Sequence, residues 1–381
     1  MRLFRGHALG GVDIITRMDD LLEWPKMDRL MTEEDVEALA LGGAILGGGG
    51  GGWAGDGMRA GLLALEIGEV KLLDPLVTPK EMLVAVSAAL GAPTQKGNTR
   101  PRHFIRSAEL LWEAGAEFSG FIAAENGGHN SFGGWIQAAA LGLPVVDAPA
   151  DGRAHPTAMM GGMGLHRLPD YVSVKAVACE EVEAVARGTL QRTSNVARMV
   201  AQDNKCLVAM TRDPVTVAYA LEHGAPGAIT KAIDLGKAFL SAPDEPEARV
   251  NAALENLGGK LVYRGRITEK TLEAKGGFDV GTIIVEGDGE AFEATYVNEY
   301  MTLERGSVRL GTFPALISTF DGEGNPVTTA AVEEGDEVFL TLTGRDLIPI
   351  GDGNRYPEVY EPIEAALGRP MVEHLRGFLR E

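Results

Sequence analysis

Polar side chains and glycines gather in two short segments of the chain. Residues 125–131 read Glu-Asn-Gly-Gly-His-Asn-Ser, and residues 147–157 read Asp-Ala-Pro-Ala-Asp-Gly-Arg-Ala-His-Pro-Thr. Carboxylates and imidazoles are the groups that most often transfer protons near neutral pH. We therefore predict that the chemistry of this protein lies between Glu125 and His155.

Four side chains in these segments have the chemistry of proton-transfer catalysts. Glu125 or Asp147 could act as a general base if burial raises its pKa. His129 or His155 could act as a general acid, because imidazole titrates near neutrality. A glutamate at the end of a strand can equally cap the following helix, and that structural alternative stays open for Glu125.

Other groups in the two segments are suited to binding a substrate. The backbone N–H groups of a Gly-Gly pair ahead of a helix could hold a developing oxyanion. Asparagine amides could bind a polar ring, and an arginine could pair with a carboxylate. An Asp-Gly pair is also a turn signal, so Asp151 could merely close an Asx-turn. The predicted substrate contacts are Asn126, Gly127, Gly128, Asn130, Asp151 and Arg153.

A metal site is an open alternative for the same residues. His129, Asp147, Asp151 and His155 offer imidazole and carboxylate ligands. The sequence has no His-Glu-x-x-His or His-x-His spacing, so nothing in it specifies a metal. We predict no cofactor and leave a divalent metal as the alternative.

Six consecutive glycines occupy Gly47–Gly52. They follow a predicted helix, whereas a dinucleotide-binding fingerprint follows a strand, and no Gly-Lys-Ser/Thr is present. Such a run can form a nest that binds an anion. Close packing of its backbone against a neighbouring element is the other reading, and the sequence does not separate the two.

Alternating strands and helices are expected to bring the polar segments together. Strand signals at 83–88, 118–124 and 144–147 alternate with helix signals at 105–114 and 131–141. This alternation predicts a parallel sheet with right-handed crossovers. Ligands bind beyond the carboxyl ends of such strands. A third polar segment, Gly91–Lys96, follows the first strand and is expected at the same edge.

The rest of the chain predicts a second domain. Beyond residue 170 we predict a strand at 171–177, a mainly helical stretch at 180–200, a strand at 205–210 and two helices over 215–257. Turn signals from 260 to 350 indicate a small antiparallel sheet or barrel, and a last helix starts near Tyr360. The predicted fold class is α/β, with a parallel, Rossmann-like N-terminal domain at 1–170 and a C-terminal α+β domain at 171–381, β-rich over 260–350.

Two features of this second part could contribute to the site. Arg212 follows a predicted strand and could reach an acidic substrate, although a surface salt bridge is the simpler interpretation. Asn298 and Glu299 lie inside the β-rich segment and could bring a polar contact from the second domain.

Bulk properties exclude several classes of partner. The 381 residues carry a formal net charge of −19, which repels nucleic acid and anionic membranes. The two cysteines, Cys179 and Cys206, form no CxxC motif, which favours a reducing compartment. We see neither a signal-peptide core nor an apolar run of the roughly 20 residues that span a bilayer, so we expect a cytoplasmic protein that acts on a small molecule.

A series of short motifs gives the chain a family likeness. The motifs are the glycine run Gly47–Gly52 after an N-terminal helix, Gly91–Thr94, Glu125–Ser131, Gly142–Ala148, Gly152–Pro156, Thr230–Gly236, Tyr263–Ile267, Asn298–Glu299 and Pro314–Ile317. In this order they resemble the S-methyl thiohydantoin desulfurase-like family, whose members are associated with hydantoin-ring-opening enzymes. The resemblance implies two domains and, for the named member, hydrolysis of S-methyl thiohydantoin to hydantoin and methanethiol.

The chain departs from the family pattern within the suspected site. The family commonly has Glu-(Ile or similar)-Gly-Gly where this chain has Glu125–Gly128. It commonly has Gly-Met-Gly-Arg-Ala-Phe-Pro-Glu where Ala150–Thr157 stands. Asp151, His155 and Thr157 therefore differ from that pattern, which indicates a divergent branch and leaves the exact substrate unspecified.

Two functional hypotheses follow from the residues and the resemblance. The first is a hydrolase of a small cyclic amide or thioamide, such as an S-methyl thiohydantoin or a hydantoin-like ring. The second is a non-catalytic accessory or ligand-binding subunit that partners a hydantoinase-type enzyme. We also expect the protein to form a homo-oligomer.

Overall fold

Two eight-stranded sheets form the framework of the protein. The computed structural model describes residues 28–91, 99–275 and 277–380, so most of the Gly91–Lys96 segment lies outside the described residues. The first sheet has the order β1-β2-β5-β4-β3-β8-β6-β7. Its strands are β1 (Arg29–Leu30), β2 (Lys71–Leu73), β3 (Leu83–Leu90), β4 (Phe121–Ala123), β5 (Val145–Val146), β6 (Ser173–Ala178), β7 (Glu183–Gly188) and β8 (Val208–Thr216).

The centre of the first sheet is parallel, as the sequence predicts. Strands β2, β5, β4 and β3 run parallel to one another. The outer strands β1, β8, β6 and β7 pair antiparallel, so the sheet as a whole is mixed. The α/β class is therefore confirmed, while a specifically Rossmann-like topology stays a prediction.

Helices pack on both faces of the first sheet, in two hydrophobic clusters. Thr32 caps the first helix by accepting from the Asp35 N–H, as its capping sequence predicts. None of the described helices is long and apolar enough to cross a membrane. The helices are α1 (Glu33–Leu46), α2 (Ala54–Ile67), α3 (Pro101–Glu113), α4 (Trp135–Leu141), α5 (Leu190–Asp203), α6 (Val217–His223), α7 (Ala228–Leu240), α8 (Pro246–Leu257) and α9 (Glu361–Leu367).

Three sequence predictions about helices were wrong in detail. The helix predicted over 131–141 begins only at Trp135, because Gly134 has a φ of +90° and interrupts it. The first part of the predicted 180–200 helix is instead β7, whose alternating exposure suits an edge strand paired with β6. The stretch 215–257 contains three helices rather than two, because the chain turns at Gly224–Gly227 between α6 and α7.

The second sheet is antiparallel throughout, which confirms the β-rich prediction for 260–350. Eight strands make it larger than the small sheet expected, in the order β13-β12-β11-β10-β9-β16-β14-β15. The domain boundary near residue 170 stays a prediction; β6, β7 and β8 beyond it belong to the first sheet. The second-sheet strands are β9 (Lys260–Lys275), β10 (Phe278–Gly287), β11 (Glu290–Val297), β12 (Glu299–Arg305), β13 (Val308–Thr312), β14 (Leu316–Asp321), β15 (Pro326–Val327) and β16 (Glu337–Thr343).

Candidate functional site

Glu125 lies just beyond the end of β4 and joins the two polar segments. Its side chain is buried, and Oε1 accepts a hydrogen bond of 2.7 Å from Asn130 Nδ2. Oε2 accepts a hydrogen bond of 3.2 Å from the backbone N–H of His155. The strand order thus brings Glu125–Ser131 and Asp147–Thr157 to the same place, as the parallel arrangement of β4 and β5 requires.

Burial controls the protonation of Glu125. Loss of solvent raises the pKa of its carboxyl to about 7, although the hydrogen bonds from Asn130 and from His155 N–H act in the opposite direction. A carboxyl that titrates there exchanges protons readily near neutral pH, which a general acid or base requires.

The imidazole of His155 lies against the same carboxylate. Its Nε2 is 3.1 Å from Glu125 Oε2. The ring packs on Gly161, where a Cβ would lie 2.0 Å from Nε2. Burial lowers the pKa of His155 to about 4, although Asp151 raises it. His155 is therefore neutral at pH 7.

The second sheet contributes a second carboxyl, Glu299, at the start of β12. It is 2% exposed, and its Oε2 has no hydrogen-bond partner among the described residues. Burial, and then the charge of Glu125, raise its pKa well above the usual range. Glu299 therefore holds its proton more strongly than an exposed glutamate does. The sequence interpretation of Asn298–Glu299 pointed to this segment, but Glu299 was missing from the predicted site residues.

Arg153 supplies the positive charge between these groups and is fully buried. Its Nη1 donates to the carbonyl of Ala315 at 2.6 Å, and its guanidinium lies 4.4 Å from the centre of the Phe313 ring. Nη2 has no partner within the described ranges. Burial lowers the pKa of Arg153 to about 10, with Glu299 opposing the shift, so the group stays charged at neutral pH. Arg153 thus ties the first sheet to the second.

Two further arginines lie near the site, Arg212, which the sequence analysis named, and Arg198, which it did not. Arg212 was expected in a surface salt bridge, but it is 1% exposed and donates to the carbonyl of Gly161 at 3.0 Å. Its chain neighbour Asp213 compensates the charge at 3.3 Å. Arg198 in α5 donates to the carbonyl of Pro156 at 3.2 Å, and its charge acts on Glu299.

The glycine run Gly47–Gly52 connects the two sheets beneath this cluster. A Cβ on Gly48 would lie 2.5 Å from Arg153 Nη2, and one on Gly50 would lie 2.0 Å from Glu299 Oε1. This geometry favours the close-packing interpretation of the run. Its carbonyls accept backbone hydrogen bonds from both sides: Gly48 from Tyr300 at 2.9 Å, Gly49 from Thr329 at 2.9 Å, and Gly51 from His129 and Asn130 at 3.0 Å each.

Replacing Gly50 with alanine is expected to displace the Glu299 carboxyl while leaving the protein folded. The new Cβ would meet the movable end of Glu299, and Gly50 does not have a positive φ, so no backbone strain is added. Gly55→Ala is the matched control, because its Cβ would meet nothing closer than Arg59 Nη1 at 3.7 Å. Comparing activity and thermal unfolding of the two variants checks the prediction. Equal activity would show that the position of Glu299 is unimportant.

Asp147 lies apart from these contacts and caps α7. Its Oδ1 accepts from the Ile229 N–H at 2.9 Å, and its Oδ2 accepts from the Thr230 N–H at 3.0 Å and from the Thr230 hydroxyl at 2.6 Å. Burial raises its pKa. Both oxygens therefore serve the N-terminus of α7, and the structure supplies no contact between Asp147 and Glu125.

Asp151 anchors a segment near the C-terminus. Its Oδ1 accepts from the N–H groups of Gly152 at 2.8 Å and Gly351 at 2.9 Å, and its Oδ2 accepts from Asn354 Nδ2 at 2.6 Å. Burial raises its pKa to about 6, while His155 acts to lower it. Asp151 thus joins the segment after β5 to residues 351–354.

Three of the predicted binding groups already have internal partners. Asn126 Nδ2 donates to the carbonyls of Gly152 at 3.1 Å and Ala228 at 2.8 Å. The N–H of Gly127 donates to Ser131 Oγ at 3.0 Å, so it is not directed at a ligand. Gly128 packs against α2, because a Cβ on Gly57 would lie 1.8 Å from its carbonyl oxygen.

His129 and Asn130 line a small cavity on the side of the site facing α3. The cavity is about 10 Å³, roughly the room for one water molecule. His129 is half-buried, 6.2 Å from the Phe104 ring between centres, and burial lowers its pKa. Among residues 28–91, 99–275 and 277–380, no three His, Cys, Asp or Glu side chains are grouped as metal ligands would be.

The raised pKa of Glu125 predicts a pH-dependent stability. The folded pKa of about 7 exceeds the ordinary value of 4.5, so folding favours the protonated form. The stabilising effect is complete below about pH 4.5 and is lost as the pH rises to about 7. Urea unfolding from pH 4 to 8 should show this fall in the wild type and a flatter profile in Glu125→Gln. Identical profiles would contradict the assignment.

Comparisons with known proteins agree with this architecture. The S-Me-THD-like N-terminal domain matches residues 34–184, and the S-Me-THD-like C-terminal domain matches residues 189–344. A crystal structure of a protein from Chromobacterium violaceum is similar in fold, with a TM-score of 0.66 and 19% identity over 92% of this chain and 98% of that one. The search of curated proteins finds no match. With both domain models matched in order over most of its length, the chain belongs to the S-Me-THD-like family.

Proposed function

We propose that this protein is a hydrolase of small cyclic amides or thioamides, with Glu125 as its general base. The observation that carries the proposal is the buried carboxyl of Glu125, whose pKa rises to about 7 beside a neutral His155. Membership of the S-Me-THD-like family supports the proposed substrate class, an S-methyl thiohydantoin or a hydantoin-like ring.

The proposed reaction begins with water at the ring carbon that carries the S-methyl group. Glu125 takes a proton from the water as its oxygen bonds to that carbon, and the carbon–sulfur bond then breaks. Glu125 returns its proton to the departing sulfur, which leaves as methanethiol. The second proton of the water ends on the ring nitrogen, so the products are methanethiol and the hydantoin.

Glu299 and Arg153 have complementary roles in this proposal. The raised pKa of Glu299 favours its protonated form, and a neutral carboxyl can donate a hydrogen bond to a heteroatom that gains negative charge. The unpartnered Nη2 of Arg153 can stabilise the same charge. His155 at pH 7 serves as a neutral hydrogen-bonding group, because its pKa lies near 4.

Turnover of a ring panel tests the proposal. Purified protein would be incubated with S-methyl thiohydantoins and hydantoins bearing apolar and polar substituents, since His155 stands where the family commonly has phenylalanine. Released thiol would be measured with a colorimetric reagent, and ring opening by chromatography. We expect thiol release from at least one S-methyl compound. No turnover of any ring would contradict a hydrolase.

The closed state of the site favours a second candidate, an accessory or ligand-binding subunit of a hydantoinase-type enzyme. Glu125 is only 6% exposed and Glu299 only 2%, so a ring reaches them only if the surrounding loops move apart. Thermal stabilisation by a ring without turnover would support this candidate. Turnover that appears only after a hydantoinase-type enzyme is added would support the partnership.

A further inference from the structure

An open cavity of about 430 Å³ lies on the second sheet, apart from Glu125. It is formed by the start of β9, the end of β13, the end of β16 and the loop that follows β16. Sites for small molecules commonly enclose about 300 to 1,000 Å³, so its size suits a small ligand. Ala315 lines it, and because the Ala315 carbonyl accepts from Arg153 at 2.6 Å, the cavity shares a wall with the candidate site.

The charge of this cavity is the reverse of the charge of the whole chain. The chain has 54 acidic residues against 35 lysines and arginines. The cavity is lined by three cations, Lys260, Arg309 and Arg345, with Asp346 as the single acid among its lining residues. A concentration of cations in an acidic protein creates a local potential that attracts an anion.

Two of these cations are available to a ligand. Arg309 is compensated by Glu304, with 2.7 Å between Nε and Oε1. The side chains of Lys260 and Arg345 form no ion pair within the described part of the chain. Arg345 is instead positioned over the Phe378 ring, 5.2 Å from its centre, which leaves its N–H groups for an anion.

The remaining walls of the cavity combine apolar and polar side chains. Leu310 and Leu342 provide hydrocarbon surface, Thr312 and His374 are polar, and Gly344 leaves space where a side chain would otherwise project. A Cβ on Gly344 would meet nothing closer than Leu347 at 3.8 Å. Hydrocarbon beside two cations suits a ligand with an apolar body and one anionic group, rather than an inorganic ion.

We propose that this cavity is a binding site for a small organic carboxylate. The carboxylate pairs with Lys260 and Arg345, and the hydrocarbon part of the ligand lies on Leu310 and Leu342. The inference stands on the cavity alone and does not depend on the reaction proposed for Glu125.

Calorimetric titration of the full chain with hexanoate tests this site. Hexanamide tests the need for charge, and inorganic phosphate tests the need for an apolar body. The double variant Lys260→Gln/Arg345→Gln removes the cations. Gly344→Leu fills the cavity and keeps every charge, while Lys275→Gln, at the exposed far end of the same strand, is the control.

We expect hexanoate to bind the wild type and Lys275→Gln equally, and to bind both cavity variants at least tenfold more weakly. Hexanamide and phosphate should bind at least tenfold more weakly than hexanoate to the wild type. The proposal would be overturned if the wild type showed no detectable binding of hexanoate. It would also be overturned if both cavity variants bound hexanoate as tightly as the wild type, or if the wild type bound hexanamide or phosphate as tightly as hexanoate.

Discussion

Replacing Glu125 with glutamine is expected to lower the rate of thiol release from an S-methyl thiohydantoin by about 10²- to 10⁴-fold, the usual contribution of a positioned general base. Glutamine has the same size as glutamate, and its carbonyl oxygen can still accept from Asn130 Nδ2. It cannot take a proton from water. The loss should therefore fall on kcat while KM changes little.

The pH profile separates a proton-transfer role from a structural one. Because the pKa of Glu125 is about 7, kcat/KM of the wild type should rise as the pH increases through neutrality and the carboxyl ionises. Residual activity of Glu125→Gln should lack that rise. Glu117→Gln is the matched control, since Glu117 is exposed and lies shortly before β4 in the chain. A Glu125→Gln variant within tenfold of the wild type, with the same pH profile, would exclude Glu125 as the base.

That the two polar segments meet could be predicted from the sequence, because it depends on the order of neighbouring strands. The strand signals that became β3, β4 and β5 are parallel neighbours, so their carboxyl ends had to lie together. Glu125 and His155 were chosen for their side-chain chemistry, and the strand order placed their segments side by side. Their side chains are 3.1 Å apart, so the two polar segments meet as expected.

The division of roles among the carboxylates could not be predicted in the same way. Glu125 and Asp147 both follow strand ends and look equivalent in the sequence. They differ because Asp147 meets the N–H groups of Ile229 and Thr230, more than 80 residues away, whereas Glu125 meets Asn130 and His155. Long-range packing, rather than residue type, decides which carboxylate has its oxygens committed to capping a helix.

The role of Glu299, in the second sheet, also depends on long-range packing and could not be predicted from the sequence. Glu299 is close to Gly50 because the glycine run passes between the sheets. The hydrophobic pattern of a strand does not predict which distant loop will pack against it. An ionisable residue at the start of a strand as buried as β12 was the one available signal. The burial of Arg212 could not be predicted either, because it depends on contacts with Asp213 and with the loop carbonyl of Gly161.

Replacing Asp151 with alanine is expected to have the largest effect on stability among the site variants, a loss of at least about 3 kcal/mol in the free energy of unfolding. The substitution leaves three buried donors without an acceptor, namely the N–H groups of Gly152 and Gly351 and the side-chain amide of Asn354. Each unpaired buried donor costs about 1–3 kcal/mol. Burial already raises the pKa of Asp151 to about 6, so losing the buried charge offsets part of that cost.

Asp151→Asn should lose less than Asp151→Ala, because its amide oxygen still accepts from Gly152 and Gly351. Asp203→Ala, at the exposed end of α5, is the control for removing a carboxylate that does not join two segments. Urea unfolding at pH 7 measures all three.

The backbones of the joined segments touch so closely that a Cβ on Gly351 would lie 2.1 Å from the carbonyl oxygen of Ala150. Loss of the Asp151 carboxylate should therefore release residues 351–354 to proteolysis before global unfolding, and an Asp151→Ala protein as stable and as protease-resistant as Asp203→Ala would show that this anchor is dispensable.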